Sequence, residues 1–224
     1  MSLPPQARPG TALGVLGGTF DPVHFGHLRA ALEVLEKLEL GELRLIPAGN
    51  PPHRPTPVGS AADRLAMLRL AVASCPGLCV DDCETRRAGP SYMVDTLEQL
   101  RGEAGERPIL LLVGQDAANA LDTWHRWPDI FGLAHLVVMR RPDAHFSCTG
   151  ELARQFERRR VATTGPVMQA PGGLVLPLEI TQLDISSTLI RHLLETGRSP
   201  RFLTPDPVVA FIEERGLYGA GPRP

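Results

Sequence analysis

Gly17-Gly18-Thr19-Phe20-Asp21-Pro22-Val23-His24-Phe25-Gly26-His27 is the stretch that decides how the chain folds. It follows a short apolar run at 12–16 (ALGVL) and leads without a break into an amphipathic segment at 27–38. There Leu28, Ala31, Leu32, Leu35 and Leu38 fall on one helical face and Glu33, Glu36 and Lys37 on the other. The order is strand, glycine-rich loop, helix. Glycines at a strand end let backbone N–H groups approach an anion closely, and the helix N-terminus beyond adds positive dipole and unpaired donors. The spacing is neither the G-x-G-x-x-G of dinucleotide enzymes nor the G-x-x-x-x-G-K-[ST] of P-loop enzymes. Two histidines take the place of those signatures. His24 and His27 are three apart where loop becomes helix, so both rings can face one anion and donate to its oxygens. Either ring alone would read as a structural histidine. A zinc pair would need further ligands, and the next histidine, His53, lies in a proline-rich loop with no acidic partner at helical spacing. Loop, helix and both rings together favour a nucleotide phosphate.

Working outward, apolar runs at 43–46, 78–80, 109–113 and 135–139, with a last one near 174–180, read as strands. Their near-continuous apolar character suits strands covered on both faces, as in a parallel sheet. Between them lie helices at about 61–74 and 92–101. The first opens on Ser60 with Asp63 three residues on, as in a capping box, and the second turns Met93, Leu97 and Leu100 inward. Two more close the chain, one from Ser187 to Gly197 and one from Pro207 to Gly216 with Val208, Phe211 and Ile212 inward. The alternation predicts a doubly wound α/β fold with a mostly parallel sheet and a small C-terminal helical segment, whose ligands sit beyond the carboxyl ends of the strands. Residues 12–220 read as a single domain. Residues 1–11, with three prolines and little to bury, read as a disordered leader. The polar stretch 142–173, with Arg158, Arg159 and Arg160 together, reads as a solvated helix face.

Bulk properties narrow the partners. With 23 basic and 25 acidic residues and a net charge of −2, the 224-residue chain lacks the field of a nucleic-acid or membrane-surface binder, which favours a small-molecule ligand. No apolar stretch reaches the roughly 18 residues of a membrane span and no secretory signal opens the chain, so a cytoplasmic protein is expected. Self-association is left open. Cys75, Cys79, Cys83 and Cys148 are too few for a disulfide scaffold, and Pro76 and Gly77 interrupt any metal-ligand spacing, so they read as ordinary thiols.

A second motif, Ile185-Ser186-Ser187-Thr188-Leu189-Ile190-Arg191, opens the first of the two C-terminal helices. Helix capping alone would explain Ser186 or Ser187. Arg191, one turn inside the same helix, lets hydroxyls, N–H donors and a guanidinium converge on a polyphosphate.

H-x-G-H after a glycine-rich strand end, together with I-S-S-T-x-I-R, resembles the nucleotidyltransferase superfamily with its Rossmann-like fold, and within it the bacterial nicotinate-mononucleotide adenylyltransferases. The likeness runs from about Gly14 to Tyr218 and takes in PPHR at 51–54, SYMVDTL at 91–97, GQD at 114–116, Trp124 to Trp127 and RRP at 140–142, in the family's order. The resemblance implies ATP, carried with Mg2+, and nicotinate mononucleotide as substrates. Gly17, Gly18, Thr19, Phe20, His24 and His27 would bind ATP phosphates, with Ile185, Ser186, Ser187 and Arg191 on the triphosphate from the other side. Gly114 and Asp116 would lie beside the nucleotide. His53 and Arg54 would approach the acceptor, and Tyr92, Met93 and Trp124 would form its base pocket. His24, His27 and Arg191 would carry catalysis. The family commonly has Thr at the position of Met93; a main-chain donor survives that change, whereas a hydroxyl contact does not, which leaves the choice between acid and amide mononucleotide open. Implied alternatives are another acceptor, the amide mononucleotide or phosphopantetheine, and a nucleotide-sensing module without catalysis.

Overall fold

The computed structural model describes residues 12–52, 56–140 and 146–220. The leader expected over 1–11, His53, Arg54, and the Arg141 and Pro142 of RRP lie outside the described residues. Six strands form one sheet among the described residues: β1 (Leu13–Gly18), β2 (Glu42–Pro47), β3 (Leu78–Val80), β4 (Ile109–Gly114), β5 (His135–Arg140) and β6 (Val175–Glu179). Their order is β3-β2-β1-β4-β5-β6, and each pairing is parallel. The helices are α1 (Phe25–Lys37), α2 (Ala61–Val72), α3 (Cys83–Arg86), α4 (Met93–Ala104), α5 (Gln115–Asn119), α6 (Ile130–Leu133), α7 (Gly150–Arg159), α8 (Ser187–Glu195) and α9 (Asp206–Arg215). None is long and apolar enough to cross a membrane.

Strand alternation divides the interior into two cores. On β4, Leu110 and Leu112 pack with Ala31 and Val34 of α1, Met67 and Leu68 of α2 and Ile190 of α8. On its other face Ile109, Leu111 and Val113 pack with Val94, Leu97 and Leu100 of α4 and Phe156 of α7. A period of two thus feeds both layers of a doubly wound fold, as the apolar runs imply. After β1 the chain turns toward the first core to make α1, and after the adjacent β4 it turns toward the second to make α5. Neighbouring strands whose connections leave in opposite directions open a crevice at their carboxyl ends, here between Gly17-Gly18 and Gly114.

The N-terminus of α2 is capped as expected. Ser60 Oγ accepts from the Asp63 amide at 3.1 Å and donates to Asp63 Oδ2 at 2.6 Å, so the acid answers the serine hydroxyl directly. Two details of the sequence reading are corrected. Glu33 does not lie on a solvated face: it is buried, accepting from the Thr181 amide at 2.9 Å and from Lys37 Nζ at 2.8 Å. The segment after β6 covers it. The lysine hydrogen bond holds its carboxyl below the usual range. Of the basic run, Arg158 and Arg160 are exposed as expected, whereas Arg159 is half-buried, with Nη1 on the Gly173 carbonyl at 2.9 Å and its guanidinium over the Phe131 ring.

Glu33→Ala leaves the Thr181 amide without its acceptor and should lower the unfolding free energy by about 1–3 kcal/mol in urea denaturation at pH 7. An unchanged midpoint would return Glu33 to the solvent-exposed face.

Candidate active site

The loop between β1 and α1, Thr19 to His24, has little regular backbone pairing, so its shape rests on side chains reaching in from elsewhere. Arg64 Nη1 donates to Thr19 O at 2.8 Å, Arg191 Nη1 to Asp21 O at 2.6 Å, Ser187 Oγ to Pro22 O at 2.9 Å and Thr204 Oγ1 to Val23 O at 2.7 Å. Buried carbonyls need donors. Phe20 sits at φ 50°, unusual for a bulky residue, with its ring in the core and edge-on to His27 at 5.0 Å. Gly18 makes room for that ring, since a Cβ there would stand 2.9 Å from Phe20 Cζ.

His24 is the N-cap of α1, and its ring stacks on that of His27 with centroids 3.7 Å apart. His24 Nδ1 is buried without a hydrogen-bond partner among the described residues. Gly26 between the two histidines has a steric reason: a Cβ would stand 2.9 Å from that nitrogen. Burial pushes the His24 pKa down to about 4, so the ring is neutral near pH 7 and carries one N–H donor and one acceptor nitrogen. The helix N-terminus, rather than an imidazolium at His24, supplies positive potential here.

Ser186 caps α8, accepting from the Leu189 amide at 3.1 Å, so the capping role holds for it. Ser187 and Arg191 face the β1–α1 loop through the contacts above, and Arg191 also lies 3.7 Å from the Asp21 carboxylate. Ile185 is half-buried just before the helix. Across the crevice Gly114 is the N-cap of α5 with open space where a Cβ would be, and Asp116 is exposed in the first turn.

Tyr92, Met93 and Trp124 gather on the other side, each partly buried against the second core. The Met93 methyl reaches Gly17, closely enough that a Cβ on the glycine would collide with it, so this group abuts the end of β1 just before the β1–α1 loop. Trp124 and Trp127 do not share a helix. Arg126 between them is left-handed at φ 50°, and two 3-10 turns, Leu121–Thr123 and Trp127–Asp129, flank the break. An i, i+3 spacing, which on a continuous helix would turn both rings to one buried face, therefore gives no reason to bury Trp124 as core. Sequence reading missed His125, whose ring lies 4.2 Å from that of Tyr92. It also missed Asp21, Arg64 and Tyr218; Asp21 stood in the quoted loop, but neither of the others carried a motif signal. Elsewhere, the groove lined by Glu33, Lys37, Glu179, Thr181 and Asp184 carries three carboxylates, the wrong sign for a polyphosphate.

Residues 15–193 match the cytidylyltransferase-like family. A Methylococcus capsulatus protein named probable nicotinate-nucleotide adenylyltransferase is 50% identical over 207 residues, covering 92% of this chain and 99% of that protein. A Pseudomonas fluorescens protein of the same name is 50% identical over 212 residues, covering 94% and 99%. Among solved structures, the Plasmodium falciparum nicotinic acid mononucleotide adenylyltransferase complexed with NaAD superimposes with a TM-score of 0.72 at 13% identity, covering 95% of this chain and all of that one. At that identity the superposition speaks to the fold.

The depressed His24 pKa links stability to pH. Because the unfolded ring, near pKa 6.5, binds a proton that the folded ring refuses, stability is full above about pH 6.5 and falls as pH drops toward about 4, by about 3 kcal/mol. Urea denaturation at pH 7 and pH 4.5 should show a loss that His24→Asn reduces. An NMR titration in which the folded His24 ring protonates near pH 6.5 would contradict the assignment.

Proposed function

The chain belongs to the cytidylyltransferase-like family and, within it, to the nicotinate-nucleotide adenylyltransferases, and from that premise we propose that it joins ATP to nicotinate mononucleotide. The products are deamido-NAD and pyrophosphate, a step of NAD biosynthesis. A phosphate oxygen of the acceptor attacks the ATP α-phosphorus in line, a new P–O bond forms, and the bond to the bridging oxygen breaks with pyrophosphate leaving. The acceptor phosphate is already ionised near pH 7, so no general base is needed, and catalysis rests on positioning and electrostatic stabilisation. The observation that carries this reading is the stacked His24–His27 pair at the start of α1, beside the crevice between β1 and β4.

In this reading His24 and His27 donate to the phosphates, and His27 stabilises charge at the transferred group. Gly17, Gly18, Thr19 and Phe20 offer backbone, their small or buried side chains leaving the approach to main-chain groups. Ser186, Ser187 and Arg191 close on the triphosphate from α8, with Arg191 anchored at the same time on Asp21 O. Gly114 and Asp116 lie along the nucleotide. Trp124 stacks on the nicotinate ring, with Tyr92 and Met93 completing the pocket and main-chain N–H groups near them meeting the carboxylate. Magnesium enters as the ATP complex, held mainly by phosphate and water. The reading places the enzyme in the cytoplasm, where its nucleotide substrates are found.

Protein incubated with ATP, magnesium and nicotinate mononucleotide should yield deamido-NAD and pyrophosphate, and faster turnover of the amide would overturn the acceptor assignment. His27→Ala should lower kcat about 100-fold while leaving the thermal midpoint near wild type. Full activity in a destabilised variant would make the ring structural. Trp124→Ala should weaken acceptor binding by about 1–3 kcal/mol and leave ATP binding unchanged. A loss of about 3–5 kcal/mol in stability with acceptor affinity intact would instead mark a core residue.

A further inference from the structure

Behind the phosphate loop lies a buried polar cluster built from distant parts of the chain. Arg64, on α2 and only 1% exposed, donates from Nη1 to Thr19 O at 2.8 Å, from Nε to Gly59 O at 3.2 Å and from Nη2 to Gly49 O at 3.2 Å. Asp21, 4% exposed, accepts from the Val58 amide at 2.8 Å, the Gly59 amide at 2.9 Å and the Tyr218 hydroxyl at 2.7 Å. Tyr218 comes from the turn after α9. Burial, and after it the hydrogen bond to Asp21, push its phenol well above the usual range, so it remains a donor. The packing leaves no slack at Gly59, where a Cβ would stand 2.6 Å from Tyr218 Oη and 2.8 Å from Asp21 Oδ1.

In a trans peptide the carbonyl and the following N–H point opposite ways. A Thr19 carbonyl held on Arg64 therefore turns the Phe20 N–H away from the guanidinium. The left-handed Phe20 backbone is costly and persists only where its surroundings over-determine it. Arg64 holds the loop immediately before Phe20, and Asp21, pinned by Tyr218 and the 58–59 amides, holds it immediately after. Asp21 also passes the constraint on, because its own carbonyl accepts from Arg191.

We infer that Arg64 and Tyr218 are positioning residues for adenylyl transfer: they hold Thr19 and Asp21, and through them set the direction of the phosphate-loop backbone and the place of Arg191. The inference rests on the adenylyltransferase reading above and adds to it two residues that need touch no substrate. Its consequence is selective. Loosening the cluster at Tyr218 disturbs the ATP side of the site, whereas Tyr92, Met93 and Trp124 pack against the second core; Arg64 in addition holds Gly49 and Gly59, which flank the 51–54 stretch read as approaching the acceptor.

Tyr218→Phe removes one hydroxyl, and Arg64→Met removes the guanidinium at similar length. With folding verified by circular dichroism, titration with magnesium and α,β-methylene-ATP should show affinity lowered on the order of tenfold in each, as suits a lost hydrogen bond to a charged group. KM for ATP should rise in parallel, and in Tyr218→Phe, which leaves the Arg64 bonds to Gly49 and Gly59 in place, KM for nicotinate mononucleotide should stay within about twofold of wild type. Unchanged analogue affinity and KM for ATP in a folded Tyr218→Phe protein would overturn the inference, whatever happens to its Tm. If Arg64→Met fails to fold, Tyr218→Phe decides alone. Wild-type protein that binds the analogue but makes no dinucleotide defeats the acceptor assignment and leaves the positioning comparison to be read from affinity. Wild-type protein that binds no analogue defeats both.

Discussion

Everything in the site depends on satisfying the carbonyls of the β1–α1 loop. Helices and strands pair their own backbone groups, but Thr19, Asp21, Pro22 and Val23 lie between the two and receive side-chain donors from Arg64, Arg191, Ser187 and Thr204. Each bond is a modest one. Their common effect is that a segment with one left-handed non-glycine residue keeps a single shape in front of the helix that carries the two histidines.

The sheet makes this arrangement economical in chain length. β1 and β4 are adjacent and parallel, and their connections depart to opposite faces, so the crevice at their carboxyl ends needs no extra domain. The same separation divides the labour. The first core supports α1, α2, α8 and α9, which surround the β1–α1 loop, and the second supports Tyr92, Met93 and Trp124. Met93 against Gly17 is where the halves meet. A methionine suits such a seam, since its flexible side chain fills an irregular gap between two independently packed layers.

Sequence periodicity located the elements well because each of those signals is local. The run at 78–80 is β3 to the residue, and the helix expected at 61–74 ends at Val72. The motif histidines were equally legible, being three apart on one turn. What stayed hidden was pairwise and distant. Tyr218 meets Asp21 across 197 positions and Arg64 meets Thr19 across 45, and no period or spacing rule reports such contacts. Glu33 misled for a related reason: it has the position of a surface acid on α1, and only the later segment at Thr181 buries it. Arg191 was read as a ligand for phosphate alone, whereas its shortest hydrogen bond among the described residues goes to the loop itself. The left-handed turn at Arg126, which keeps Trp124 and Trp127 off one helical face, was likewise beyond any spacing rule.

The distance between Asp21 and Tyr218 also bears on the order in which the molecule can assemble. β1, its loop and α1 are synthesised before the other described elements, and contacts between near neighbours form fastest because little loop-closure entropy opposes them. The anchors that shape the β1–α1 loop arrive from α2, then from α8, and last from the turn after α9. A chain emerging from the ribosome can therefore lay down most of its sheet while the β1–α1 loop still lacks the Ser187, Arg191, Thr204 and Tyr218 bonds. The final shape of that loop therefore waits on the later parts of the chain.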